Sequence, residues 1–211
     1  VILLSGTMPD LLPVALDAQL IKIKRKQSNK VRLHTIESSG RSLEKLTEDL
    51  TDELLRCDFS GDKVHFAYVQ STKELKAIKS ALVKAGKVKA EEVSILARQV
   101  YEGGEVRVLD TLTKKEAIEK GIKLVLTTCI ISTGVNIKNK NIGRVYYVGH
   151  RCADNFRQFV ARFRMIPLLD VIVILPAENG IGDGFLPSDI TAGTRLKSLE
   201  LQARAQLAGV L

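Results

Sequence analysis

The stretch Leu126-Thr127-Thr128-Cys129-Ile130-Ile131-Ser132-Thr133-Gly134-Val135-Asn136 decides how this chain folds. It leaves an aliphatic run at residues 122–127, which has the length and character of a buried strand. The run then breaks into hydroxyl side chains, Gly134 and Asn136. Hydroxyls and free backbone N–H groups just past the carboxyl end of a parallel strand suit phosphate oxygens. Gly134 permits a tight turn or a close backbone approach, and Asn136 has the chemistry to meet a sugar or a neighbouring loop. A capped strand-to-helix loop uses the same residue types, so the segment alone leaves both readings open.

Outward from it, residues 64–69, 93–96, 144–148 and 171–175 read as further strands, and residues 21–24 and 31–36 alternate as half-exposed ones. Leu43, Leu46, Leu50 and Leu54 recur at helical spacing, predicting a helix over residues 42–56 capped by Ser42. Leu75, Ile78 and Leu82 predict a second helix, started at Ser71 and closed at Gly86. Short helices are expected over 113–120, ending at Gly121, and over 155–163, with Phe156, Phe159, Val160 and Phe163 facing inward. Residues 101–104 and 178–187 read as loops and 194–207 as a terminal helix. Strands alternating with helices require crossover connections, so the expectation is an α/β fold, a mainly parallel sheet with helices on both faces.

The 211 residues suffice for one large α/β domain or a domain with a small appendage, and an apolar fraction of 45% supplies its core. No apolar run reaches the roughly 18 residues of a membrane span, the opening Val1-Ile2-Leu3-Leu4 does not read as a signal peptide because it lacks basic residues, and Val1 in place of an initiator Met fits an excised piece. Cys57, Cys129 and Cys152 fall at no metal or disulfide spacing, as reduced thiols in an intracellular protein would; Cys129 and Cys152 read as buried small side chains. The net charge of +8 favours polyanionic partners, though a soluble basic domain has the same balance. Lys22, Lys24, Arg25, Lys26, Lys30 and Arg32 fit either a nucleic-acid backbone or a lysine-protected strand edge.

Downstream comes Asp154-Asn155-Phe156-Arg157-Gln158-Phe159-Val160-Ala161-Arg162-Phe163-Arg164. Gln158 and Arg162 are four apart and share a face on a continuous helix. Arginine stays charged and forks onto phosphate, as a γ-phosphate sensor must. A solvated arginine surface looks the same in sequence.

Together the two segments resemble motifs V and VI of superfamily 2 helicases. There motif V commonly reads Thr…Gly-x-Asp/Asn, matched by Thr128, Gly134 and Asn136, and motif VI reads Gln-x-x-Gly-Arg with a second Arg soon after, matched by Gln158 and Arg162. Ser5-Gly6-Thr7 is similar to the motif III hinge, and residues 64–71, ending in Gln70-Ser71, to motif IV. Ala161 stands where Gly is usual, and Arg164 follows Arg162 by two instead of three. A two-residue step turns a helix by about 200°, so both heads aim at one phosphate only if the helix ends early. Pro167 disfavours helical geometry at Ile166, which frees Arg164 to swing round. The Arg-x-Arg ending is also similar to viral and phage origin-binding-type helicases.

The resemblance implies the C-terminal RecA-like lobe of a P-loop NTPase, without the lobe that carries the phosphate loop. Neither Gly-x-x-x-x-Gly-Lys-Ser/Thr nor an Asp-Glu box is present; Ala85-Gly86-Lys87-Val88 lacks the leading Gly and the hydroxyl. It therefore implies ATP and Mg²⁺ held mainly by an N-terminal lobe. Arg162 and Arg164 would be the arginine finger, with Gln158 beside them. Gly134, Asn136, Ser5 and Thr7 would couple to the nucleotide, and Thr128, Gln70 and Ser71 would grip single-stranded or duplex nucleic acid. Residues 1–30 would be the hinge, 31–180 the motor lobe and 181–211 a C-terminal loop and helix. Two rivals remain: a nucleic-acid-binding or regulatory module with a decayed ATP site, and a doubly wound small-molecule enzyme. The latter needs a glycine-rich turn after its first strand or a nucleophile, and neither is visible.

Overall fold

The apolar runs fold into strands β1 (Lys30–Glu37), β2 (Val64–Tyr68), β3 (Val93–Leu96), β4 (Leu124–Thr127), β5 (Ile142–Val148) and β6 (Leu168–Leu175). Helices α1 (Leu43–Arg56), α2 (Thr72–Lys84), α3 (Glu105–Lys115) and α4 (Ala153–Val160) lie between them. The structure is a computed structural model that describes residues 30–97, 105–132, 135–148 and 153–176. The expectations for residues 21–24, 101–104, 178–187 and 194–207, and for the hinge and C-terminal segments, fall outside the described residues.

The six strands form one sheet in the order β1-β6-β5-β2-β4-β3, and every pairing is parallel. Every residue of β2, β3 and β4 is buried, as in a parallel sheet covered by helices on both sides. The mainly parallel α/β architecture read from the sequence is the architecture observed. Strand β1 is different: it pairs only with β6 and is mostly exposed. Lys30 and Arg32 lie on this edge, and Arg32 reaches Asp170 at 3.4 Å, an exposed pair of little energetic weight.

On one face, α1 and α2 bury Leu46, Leu50, Leu54, Leu75, Ile78 and Leu82 against Ala67, Val69, Leu126, Tyr146 and Ile174. The caps are the expected ones. Ser42 Oγ accepts the Lys45 N–H at 3.2 Å and Ser71 Oγ accepts the Glu74 N–H at 3.3 Å. Gly86, at φ 68°, closes α2: its N–H donates to Val83 O, and the Lys87 N–H donates to Leu82 O. The other face is aromatic. Tyr68 stacks on Tyr147 at 4.6 Å, Phe159 packs on both, and Phe163 meets Phe66 edge-on at 4.9 Å. Alternation along β2 sends Ala67 to one layer and Phe66 and Tyr68 to the other.

Three expectations are corrected. The helix read over 113–120 lies earlier, at Glu105–Lys115, with Val108 and Leu112 buried among its described side chains. Ile118 is buried too, but in the following loop, where its N–H donates to Asn139 Oδ1 at 2.7 Å. Helix α4 stops at Val160, so Gln158 and Arg162 do not share a helical face. Beyond it the Arg162 N–H donates to Phe159 O and the Phe163 N–H to Val160 O, which are tight i to i−3 bonds, and Phe163 then bridges Ile137. Cys129 is exposed on the short 3₁₀ turn Cys129–Ser132 instead of buried, whereas Cys57 is buried.

Candidate nucleotide and nucleic-acid site

Strands β2 and β4 are neighbours with Tyr68 opposite Thr127, so the residues that follow each strand emerge together at the carboxyl edge. The ladder runs one step further, with the Val69 N–H donating to Thr127 O at 2.9 Å. Thr127 is fully buried and donates through Oγ1 to Leu96 O at 3.1 Å. Thr128 spends its N–H on the same carbonyl and keeps a half-buried side chain. Gln70 is exposed, and the Ser71 hydroxyl oxygen already serves as the α2 cap. Thr128, Gln70 and Ser71 therefore meet at one edge.

A second group forms where the chain returns past Val135. The Ile137 N–H donates to Arg162 O at 2.9 Å, and the Ile137–Phe163 bridge fixes this segment beside the turn that follows α4. Asn136 and Arg162 are thus brought together by backbone pairing. Asn136 Nδ2 donates to Glu116 Oε1 at 2.7 Å, Lys138 forms an ion pair with the same carboxylate, and the Lys138 N–H donates to Glu116 O at 2.6 Å. The hydrogen bond from Lys138, then that from Asn136, holds the Glu116 carboxyl below the usual carboxylate range, and the Arg164 charge adds to the effect. Arg164 is exposed and Arg162 half-buried. Burial, followed by the nearby Arg164 charge, pulls the Arg162 guanidinium below its ordinary value. Gln158 is half-buried on α4.

Of the residues singled out in the sequence, Asn136, Arg162 and Arg164 form one group, and Thr128, Gln70 and Ser71 another. Ser5, Thr7 and Gly134 lie outside the described residues. Glu116 and Lys138 were not foreseen. Glu116 ends the charged run Lys114-Lys115-Glu116, which reads as solvated surface, so no local signal marks it. Among the described residues, no helix is long and apolar enough to cross a membrane.

No protein-family model matches the sequence, and no curated protein matches it either. Solved structures do. The chain is similar to S. cerevisiae Dbp5 bound to RNA and ADP BeF3, with a TM-score of 0.56 and 14% identity over 83% of this chain and 44% of that one. It also matches T4 UvsW with a TM-score of 0.48 and 14% identity, over 85% of this chain and 40% of that one. The E. coli DEAD-box protein SrmB bound to the regulator of ribonuclease activity A gives a TM-score of 0.47 and 16% identity, over 72% of this chain and 79% of that one. The chain spans less than half the length of the Dbp5 chain that it matches. At this identity the likeness speaks for the fold alone: an α/β, all-parallel, RecA-like domain.

Proposed function

We propose that this domain is the C-terminal motor lobe of an ATP-dependent nucleic-acid helicase or translocase acting inside the cell. An N-terminal RecA-like lobe holds ATP and Mg²⁺, and this lobe closes over them. Arg162, aided by Arg164, offsets the charge that develops on the γ-phosphate during closure. Gln158 lies on the helix leading to them, and Asn136 and Gly134 couple the closure to the nucleotide. Ser5 and Thr7 belong to the hinge. Thr128, Gln70 and Ser71 track the backbone of a nucleic-acid strand at the carboxyl edge. Contacts of this kind carry little sequence preference and weaken with salt.

The observation that carries the reading is the pairing of Ile137 with the turn at Arg162 and Phe163. It joins a partly desolvated guanidinium, an exposed second one and a polar amide from two stretches of chain far apart in sequence. A solvated arginine surface needs no such assembly. The likeness to Dbp5, whose structure contains RNA and ADP BeF3, agrees with the reading. The test is Arg162→Ala in the protein that contains both lobes. Nucleic-acid-stimulated ATPase should fall by about 10³-fold or more, with nucleic-acid affinity within about twofold of the parent. Full turnover in that variant overturns the assignment.

A further inference from the structure

Asn136 Oδ1 is buried and has no hydrogen-bond partner, although Nδ2 of the same amide has one. A buried acceptor left this way is costly unless a donor arrives from elsewhere. Turning the amide over would not help, because Oδ1 would then face Glu116 Oε1, acceptor against acceptor. Glu116 therefore decides which way Asn136 points.

The placing of Glu116 is itself unusual. Among the described residues it is the one non-glycine with positive φ, at 54°. Its backbone is held there from both sides: its N–H donates to Leu112 O at 2.9 Å, and its carbonyl accepts from the Lys138 N–H. A corner that ends a helix this way ordinarily favours glycine, and Gly86 and Gly121 occupy the other positive-φ positions described. A carboxylate adds nothing to the turn. It does reach Asn136 and Lys138 together. Backbone strain in a bulky residue persists where the surroundings enforce it, and the surroundings here are the candidate nucleotide group.

We propose that Glu116 is the positioning residue of this site: by accepting from Asn136 Nδ2 it reserves Asn136 Oδ1 as an acceptor for a hydroxyl of the nucleotide sugar. The proposal rests on the reading of Asn136 as a nucleotide contact. Through Lys138 the same carboxylate also keeps a third cation from adding to the field of Arg162 and Arg164. Glu116 touches neither phosphate nor sugar; it acts through Asn136.

The experiment has two arms. The first uses this chain, labelled with ¹⁵N, and follows the Asn136 side-chain amide in the parent, Glu116→Gly and Glu116→Gln. Glu116→Gly suits the corner, so the variant should melt no lower than the parent while the Asn136 amide signals shift. The second arm measures KM and kcat of the two-lobed protein for ATP and for 2′,3′-dideoxy-ATP. In the parent, KM for ATP should be lower than for the analogue. In Glu116→Gly, KM for ATP should rise about five- to tenfold, the gain expected from one well-placed hydrogen bond. KM for the analogue and both kcat values should stay within about twofold. Glu116→Gln, whose amide can face Asn136 either way round, should fall between the two. Unmoved Asn136 signals in Glu116→Gly overturn the role of Glu116 while leaving the site intact. A parent indifferent to the missing hydroxyls overturns the sugar contact, and with it the reading of Asn136, whatever the first arm shows.

Discussion

His65 is buried on β2, and one ring nitrogen, Nδ1, accepts the Arg144 N–H at 3.1 Å. Phe59 packs edge-on against the ring at 5.2 Å and Cys57 Sγ lies 3.6 Å from Nδ1. Burial, then the positive charges of Arg144 and Lys63, pull its pKa down to about 4, with Asp58 opposing weakly. The folded chain therefore refuses a proton that the unfolded chain takes up near pH 6.5. Stability on this account is complete above that pH, declines as pH falls through the window, and stops declining below about pH 4. The full excursion is up to about 3 kcal/mol. Comparing urea unfolding of the parent and His65→Gln between pH 4 and 7 isolates it, since the acidic groups common to both cancel. Parallel pH profiles would show that the ring is not held neutral. The same ring explains Gly143: a Cβ there would meet His65 Cε1 at 2.6 Å, at the point where the β2–β5 register shifts. Gly143→Ala should cost about 1–3 kcal/mol by overpacking, measured in the same unfolding experiment.

At the scale of elements, Ser71 has two claims on it. Its hydroxyl caps α2, and its position beyond β2 puts it beside Thr128 on the edge proposed for nucleic acid. Asp caps as well as Ser but brings a negative charge to the edge. Ser71→Asp should hold the melting temperature of the parent while nucleic-acid affinity drops, and Ser71→Ala should cost about 1 kcal/mol of stability. Unchanged affinity in the aspartate variant would leave Ser71 a cap alone. The two caps were legible in sequence because Ser42 and Ser71 stand directly before leucine runs of helical period. Strands β2 to β6 were legible because a parallel sheet needs continuous apolar runs. Helix α3 was not: Val106, Arg107 and Val108 alternate with a strand's period, just after Gly103-Gly104, and only burial of Val108 and Leu112 settles the matter. The candidate group was legible in its residue types, Asn136, Arg162 and Arg164, which remain the proposed site, but not in its assembly. The early end of α4 and the bridge from Ile137 to Phe163 join residues distant in sequence, and no periodicity encodes that.

In the molecule as a whole, the aromatic layer carries the proposed arginine turn, while the aliphatic layer under α1 and α2 carries none of the candidate arginines. The layers are nonetheless not independent, because the same strands build both. On β2, Ala67 faces α1 and α2 while Phe66 and Tyr68 face the rings of α4, and on β5 Tyr146 and Tyr147 divide in the same way. Losing either layer strips one face from central strands that are buried on both. Residues 28–185 should accordingly unfold in one step, with no state in which the arginine turn survives without the aliphatic core. Leu50, wholly buried on α1, provides the lever. Leu50→Ala should cost about 2–5 kcal/mol through the cavity it leaves. Native-state hydrogen exchange would then show an equal loss of protection at the slowest amides of β5 and of α4, the helix on the aromatic side of the sheet. If those amides kept the parent's protection while α1 and α2 opened, the two layers would be separate cooperative units. The proposed arginine turn would then owe its rigidity to the aromatic stack of Tyr68, Tyr147 and Phe159 alone.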